Sequence, residues 1–189
     1  WLFNVRGGDV ARTPLPLGEA ILRADGTADL FLADEKVSGE LRQFLGNEVA
    51  VRPSEELAPA LAELRGKRVR LDPSTASAWY FEQLGSAGAE VVKGQDPVVL
   101  PRACKNAAEI EGSRQAHRRD GAAVSRFLHW LATDGQSGKV QEIEACEKLE
   151  SFRQATGGLK DLSFDSISGA GPNGAIVHYR VTKKTNRTL

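Results

Sequence analysis

The chain has 189 residues, of which 41% are hydrophobic and 26% are charged, and its 25 lysines and arginines balance its 25 aspartates and glutamates. A formal net charge of zero argues against a dedicated nucleic-acid or membrane-surface binder, because both need a basic face. The apolar runs fall short of the roughly 20 residues that span a bilayer. The composition therefore predicts a globular protein of one large domain or two small ones, with neither nucleic acid nor membrane as a partner.

The cysteines and the first residue add two expectations. Cys104 and Cys146 lie on different predicted helices and form no CxxC motif. We interpret them as reduced thiols of a cytoplasmic protein rather than as a disulfide or a metal site. The sequence contains no methionine and begins at Trp1, which leads us to expect an internal piece of a longer protein. A processed or partly ordered chain would look the same.

The first half of the chain alternates strand-like and helix-like segments. Two strand-like runs flank Asp25-Gly26, a favoured tight-turn pair, and predict an antiparallel hairpin. From residue 47 to residue 94 the predicted order is strand, helix, strand, helix, strand. This alternation is typical of neighbouring parallel strands covered by helices, so the hairpin and the parallel strands together predict a mixed sheet.

The pattern changes after Pro101. Asn106 is a good N-cap, and Glu109 three residues later completes the asparagine version of a capping box. A long helix is predicted from there to about Thr133, and a second helix over about 141–155.

The stretch LSFDSISGAGPNGAIVHYRVT, residues 162–182, predicts two strands joined by a glycine-rich turn. The turn matches neither the dinucleotide fingerprint nor the phosphate-binding loop, and no helix follows it to receive phosphate. Strand alternation would place Ile176, His178 and Arg180 on one face. From the residues alone, His178 fits a half-buried histidine hydrogen-bonded within a sheet, because a lone histidine has no partner spacing that marks chemistry.

The other titratable residues form no compact motif. His117 and His129 are 12 residues apart on the long helix, which is not ligand spacing, and we interpret both as packing or solvated residues. Asp161 and Asp165 fall in a predicted loop and strand. Four glutamates look like the solvated side of the second long helix: Glu142, Glu144, Glu147 and Glu150.

Four segments of the sequence resemble Xaa-Pro aminopeptidase, also called aminopeptidase P, and most closely its three-domain form. They are WLFNVRGGDV, KNAAEIEGSRQAHRRDGAAVSRFLHWL, EKLESFR and FDSISGAGPNGAIVHYRVTKKTNRTL. The part FDSISGAGPNGAIVHY is the specific signature among them. The resemblance spans essentially the whole chain, although prolidase, creatinase and methionine aminopeptidase share the fold.

The resemblance implies an α/β (α+β) fold in two parts. Residues 1–103 would form a non-catalytic domain of the creatinase N-terminal type, with a mixed sheet flanked by helices. Residues 104–189 would form the beginning of a pita-bread metallopeptidase domain. The resemblance also implies a homodimer.

The same resemblance implies a reaction and one site residue. Members of the family hydrolyse peptides with proline in the second position, using two divalent metal ions, usually manganese, that share a hydroxide. His178 maps onto the family's active-site histidine, which lines the pocket and holds the substrate near the scissile bond without binding metal. None of the family's five metal ligands maps onto this sequence. We therefore expect the metals in the intact protein, and neither metal nor peptidase activity in this chain alone.

Two alternatives stay open. One is a non-catalytic binding module that keeps the pita-bread scaffold, and the other is a prolidase-like or creatinase-like hydrolase. The metal ligands would separate the module from the enzyme, and His178 favours the enzyme. The sequence GPNGAIVHY favours aminopeptidase P over the other hydrolases.

Overall fold

The computed structural model describes residues 1–189, which form two compact units, Trp1–Cys104 and Lys105–Leu189. Strands and helices alternate in the first unit, whereas the second unit combines two long helices with irregular segments. None of the helices is both long enough and apolar enough to cross a membrane.

The hairpin predicted around Asp25-Gly26 is confirmed. Strand β1 (Glu19–Leu22) pairs antiparallel with strand β2 (Ala28–Leu32). Gly26 has a φ of 91°, which glycine adopts without a steric cost. The Asp25 carboxylate accepts hydrogen bonds from the backbone N–H of Thr27 at 3.0 Å and from its hydroxyl at 2.8 Å, which closes the turn.

The strand and helix order predicted for residues 47–94 is confirmed, and two parallel pairs form through helices, although the first two strands of that stretch do not pair with each other. Strand β2 pairs in parallel with β3 (Val49–Pro53), and α1 (Gly39–Leu45) lies between them in the chain. Strand β4 (Arg68–Leu71) pairs in parallel with β5 (Glu90–Lys93) through α3 (Ala78–Ala87). The mixed sheet is confirmed for β1–β3, but β4 and β5 form a separate two-stranded ladder.

One apolar core serves both ladders of the first unit. Helix α2 (Leu57–Ala62) and α3 contribute to it, and Phe31 and Leu84 are 0% and 1% exposed. The buried members are Phe31, Leu57, Ala60, Leu61 and Leu84, with Ile21, Val69, Leu71 and Val91 packed against them. Because burying one large apolar side chain contributes about 1.5–3 kcal/mol, this shared core holds the two ladders together although their strands do not pair.

The first unit ends in a short helix, α4 (Val99–Ala103), and the second unit is built on two long ones, α5 (Ala107–Ala132) and α6 (Glu142–Gln154). The predicted capping box is confirmed at the start of α5. The Asn106 side chain accepts from the Glu109 N–H at 2.9 Å, and the Glu109 carboxylate accepts from the Asn106 N–H at 2.9 Å.

Helices α5 and α6 pack through a small apolar core in which Trp130, Val140 and Ala145 are buried. An ion pair of 2.7 Å between Arg153 Nε and Asp120 Oδ1 also joins the two helices.

The last residues of the chain return to the start of α6. The Glu142 N–H donates to the Arg187 carbonyl at 3.0 Å, and the Leu189 N–H donates to the Val140 carbonyl at 2.9 Å. This return brings the segment after residue 160 next to the first turn of α6.

Candidate functional site

The glycine-rich segment folds as a helical turn, and the two strands predicted over residues 162–182 are wrong. A 3-10 helix covers Gly171–Ala175, and the next turn is closed by the bond from the Tyr179 N–H to the Ile176 carbonyl at 3.2 Å. These backbone groups bond three residues away, so they do not pair with another strand. The local pattern misled the prediction because pairing also needs a partner strand, which the pattern does not specify.

The glycines of this segment permit a close crossing of the backbone. A Cβ added to Gly169 would lie 3.1 Å from the Cα of Gly174, and Gly171 has a φ of 53°. The interpretation that these glycines supply close approach and positive φ is therefore confirmed, although they join no strands.

His178, the catalytic residue implied by the resemblance, lies in this turn and is exposed. Its φ is 54°, in the left-handed region. A residue with a side chain occupies that region at a cost of roughly 1–2 kcal/mol. Val177 before it is 82% exposed and Tyr179 after it is 6% exposed, so support for this conformation comes from the Tyr179 side of the turn.

That support is a buried carboxylate, Glu142, the first residue of α6, which is 0% exposed. It accepts four sets of hydrogen bonds, from the backbone N–H of Ala170 (2.6 Å), the side-chain amide of Asn173 (3.0 and 3.1 Å), the hydroxyl of Tyr179 (2.9 Å) and the backbone N–H of Arg187 (3.1 Å). We call Glu142 with these four donors the carboxylate anchor. It gathers two distant stretches of chain onto one side chain.

Hydrogen bonding keeps the anchor ionised. Burial raises the pKa of the Glu142 carboxyl, but the bonds from its four donors outweigh burial, and the pKa lies below its ordinary value. Burial, together with the adjoining carboxylate, raises the pKa of the Tyr179 phenol. The phenol therefore stays protonated and donates a hydrogen bond to Glu142.

A second set of bonds surrounds the anchor. The Asn173 side-chain nitrogen also lies 2.9 Å from the Tyr179 hydroxyl and 2.9 Å from the Thr185 carbonyl oxygen, within hydrogen-bond distance of both. The Tyr179 hydroxyl lies 3.1 Å from Thr185 Oγ1. Asn173 and Tyr179, one before and one after His178, are thus both held in place by hydrogen bonds.

The prediction that Glu142 lies on the solvated side of α6 is wrong, whereas Glu144 is exposed as predicted. The overlooked signal is spacing. Glu142 lies three, seven and ten residues before Ala145, Leu149 and Phe152, which places it on the same helix face as these apolar residues. A carboxylate on an apolar face must find hydrogen-bond donors, and the anchor supplies them.

The remaining candidates do not join this site. His117 and His129 are exposed on α5, and Asp165 lies 3.5 Å from Arg180 in an exposed pair. In residues 1–189 no three or more His, Cys, Asp or Glu side chains lie close enough together to hold a metal ion. The side chains of this chain therefore do not fit the pair of divalent ions implied by the resemblance.

Comparison with known families divides the chain at almost the same place as its two compact units. Residues 1–109 match the Creatinase/Prolidase N-terminal domain, and residues 111–189 match Metallopeptidase family M24. The anchor and His178 both lie in the M24 part.

Curated relatives support the same grouping. A Probable Xaa-Pro aminopeptidase P of Paracoccidioides brasiliensis (strain Pb03) is 35% identical over 198 residues, which cover 97% of this chain and 32% of the relative. One from Aspergillus clavatus is 35% identical over 193 residues, covering 97% of this chain and 29% of the relative. The chain thus spans about a third of the length of these relatives.

Solved structures show the same architecture. The X-prolyl aminopeptidase from Caenorhabditis elegans, described as a cytosolic enzyme with a di-nuclear active site, superposes with a TM-score of 0.84 at 29% identity, over 99% of this chain and 32% of its own. The Xaa-Pro dipeptidase from Bacillus anthracis has a TM-score of 0.63 at 22% identity, over 95% and 48%, and shows the fold alone. These likenesses confirm the predicted fold class. The chain belongs to the creatinase/prolidase N-terminal family and continues into a metallopeptidase M24 region, the arrangement of its Xaa-Pro aminopeptidase P homologues.

Proposed function

We propose that this chain is part of a metal-dependent aminopeptidase that hydrolyses the bond between an N-terminal residue and a following proline. The observation that carries the proposal is the GPNGAIVHY turn, which presents an exposed His178 from a buried carboxylate anchor within the M24 region. The names of the curated relatives support the same substrate class.

In this proposal His178 lines the substrate pocket and holds the peptide near the scissile bond. A neutral imidazole suits the role, because one nitrogen donates a hydrogen bond and the other accepts one. The exposure of His178 leaves its ring nitrogens available to a peptide, and the bond from Tyr179 to Glu142 restrains the neighbouring backbone.

We propose two divalent ions, with manganese as the metal, in the full-length protein, bound by residues outside this chain. The di-nuclear active site of the Caenorhabditis elegans enzyme supports the number of ions. When bound, such a pair supplies a hydroxide nucleophile and stabilises developing negative charge. The part played by residues 104–189 would be to form one wall of the substrate pocket.

We propose further that residues 1–103 are the non-catalytic domain and that residues 104–189 begin the catalytic one. The division into compact units after Cys104 and the change of family match near residue 110 support a boundary there. A cytoplasmic location is supported by the description of the Caenorhabditis elegans enzyme as cytosolic. A homodimer rests on the family resemblance.

The substrate class is tested on the full-length protein with added manganese. A tripeptide with proline in second position should lose its first residue, as detected by mass spectrometry. Cleavage of Xaa-Pro dipeptides alone would assign the protein to the prolidases. A protein that binds no metal and cleaves neither peptide would be a binding module.

The role of His178 is tested by His178→Ala in the same protein. We expect kcat to fall by about 100-fold, the loss typical of a hydrogen-bond donor at the reacting bond, while bound metal stays at the wild-type level. His129→Ala, which changes an exposed histidine of α5, is the matched control and should behave as wild type. Loss of metal in His178→Ala would contradict the proposed role.

A further inference from the structure

We propose that Glu142 is a positioning residue for His178, because its carboxylate fixes the turn from which His178 would reach the substrate. This inference rests on the proposed function and deepens it, since it assigns a role to a buried residue to which the proposed function gives none.

The first argument is geometric. His178 lies between Asn173 and Tyr179, which are six residues apart and both bond to the Glu142 carboxylate. The Asn173 amide contacts both carboxylate oxygens, at 3.0 and 3.1 Å, and the Tyr179 hydroxyl contacts Oε2 at 2.9 Å. A segment held at both ends by one side chain has few conformations, so Glu142 limits where the His178 backbone can lie.

The second argument is that apolar packing is weak in the residues just before His178. Ile176 is 54% exposed and Val177 is 82% exposed, and His178 itself is exposed with a φ of 54°. The apolar side chains just before His178 therefore bury little surface that could hold an unfavourable backbone conformation. The shielded contacts lie on the other side of His178, where the buried Tyr179 bonds to the buried Glu142.

The third argument concerns the chemistry of the acceptor. An ionised carboxylate offers two oxygens and no proton, so all of its donors find an acceptor. Glutamine has nearly the same shape, but its NH₂ group would face other N–H or O–H donors. The substitution Glu142→Gln therefore replaces one of the two acceptor oxygens with a donor, so the donors on that side lose their acceptor while the volume of the side chain is preserved.

The test is a double-mutant cycle in the full-length protein loaded with manganese, using a tripeptide with proline in second position. We expect Glu142→Gln to lower kcat by about 10- to 100-fold, as misplaced catalytic groups do, with a smaller change in KM. In the His178→Ala background the same substitution should lower kcat no further, because Glu142 acts through the imidazole. Glu144→Gln, two residues further along α6 and exposed, is the control and should leave kcat unchanged.

The outcomes separate this inference from the proposed function. If His178→Ala lowers kcat but the double variant falls by the product of the two single losses, Glu142 does not act through His178 and the inference is overturned. If His178→Ala leaves kcat at the wild-type value, the proposed role of His178 fails, and the inference with it.

A second measurement needs no activity. Hydrogen exchange of peptides covering residues 170–179 should speed up in Glu142→Gln and stay at the wild-type rate in Glu144→Gln. Equal exchange in Glu142→Gln and wild type would overturn the inference, whatever the kinetics show.

Discussion

Two buried carboxylates, Asp29 in the first unit and Glu142 in the second, are stabilised in different ways. Asp29 is 5% exposed and bonds to two guanidinium groups, those of Arg23 and Arg52, at distances up to 3.4 Å. Glu142 is 0% exposed and bonds to four uncharged donors. One carboxylate is balanced by opposite charge, and the other is held by directional hydrogen bonds.

The difference indicates what each carboxylate stabilises. The side chains of Arg23 and Arg52 are 41% and 23% exposed, so either can turn to water if Asp29 is lost. Their bonds join β2 to the hairpin turn and to β3, which already pair through their backbones. Glu142 instead gathers residues that no sheet holds. Loss of Glu142 should therefore release a whole segment, whereas loss of Asp29 should only weaken a sheet.

The largest expected effect comes from Glu142→Ala. This variant leaves four donors without their acceptor, and each unsatisfied donor is costly when it is shielded from water. Tryptic cleavage after Arg180 and Lys183, both within the released segment, should accelerate by roughly 10- to 100-fold. Asp29→Ala is the matched variant and should leave cleavage at these two sites unchanged. Equal acceleration in both variants would contradict the difference drawn between the two carboxylates.

Acid should release the same segment. Because the pKa of Glu142 lies below its ordinary value of 4.5, folding favours the ionised form. The stabilisation is complete above pH 4.5 and is lost as the pH falls below 4.5 through the lowered pKa. Hydrogen exchange of residues 170–187, corrected for the intrinsic effect of pH, should lose protection in that range.

Glu142→Gln supplies the control for this acid effect. Its side chain does not titrate, so protection of the segment should already be reduced at pH 7 and should change little on acidification. A variant that loses protection over the same pH range as wild type would assign the acid effect to another group.

A smaller effect is expected from Tyr179→Phe. The substitution removes one of the four donors to Glu142 and keeps the ring that fills the site. Exchange of residues 170–179 should rise by about three- to tenfold, since one hydrogen bond is lost and the others remain. Tyr80→Phe in the first unit is the control and should not alter this segment. A loss as large as that of Glu142→Gln would mean that the hydroxyl alone holds the turn.

The smallest effect is expected from Arg23→Ala. Arg52 still bonds to Asp29, and the Arg23 side chain is 41% exposed, so the cost should stay below about 1 kcal/mol. Exchange of the β2 amides at increasing urea concentration measures it. Arg68→Ala removes a 3.4 Å pair with Glu90 in which both side chains are largely exposed, and it should cost nothing measurable. A cost of several kcal/mol for Arg23→Ala would contradict the difference between the two carboxylates, because Asp29 would then depend on each of its partners for stability.

Whether a feature could be predicted from the sequence depends on how many residues separate the groups that form it. The turn at Asp25-Gly26 and the capping box of Asn106 and Glu109 involve residues two or three positions apart, and both are confirmed. The strands expected over 162–182 needed a partner elsewhere, and the local pattern could not supply one.

The anchor was beyond local prediction for the same reason. The donors to Glu142 lie between 28 and 45 residues further along the chain, from Ala170 to Arg187. Helical spacing could have shown that Glu142 faces inward, but not which groups would meet it. The family signature singles out His178 in the sequence. Its left-handed backbone conformation, in contrast, depends on contacts that only the fold brings together. Its role in the reaction stays a prediction.

The most direct test of the anchor is residue-resolved hydrogen exchange at two amides that bond to the Glu142 carboxylate, those of Ala170 and Arg187. In the wild-type full-length protein at neutral pH both amides should exchange slowly. In Glu142→Ala, which removes both acceptor oxygens, both should become fast together, while Glu144→Ala leaves them slow. Fast exchange at both amides in the wild-type protein would contradict the account, because the carboxylate would then not hold the segment that presents His178.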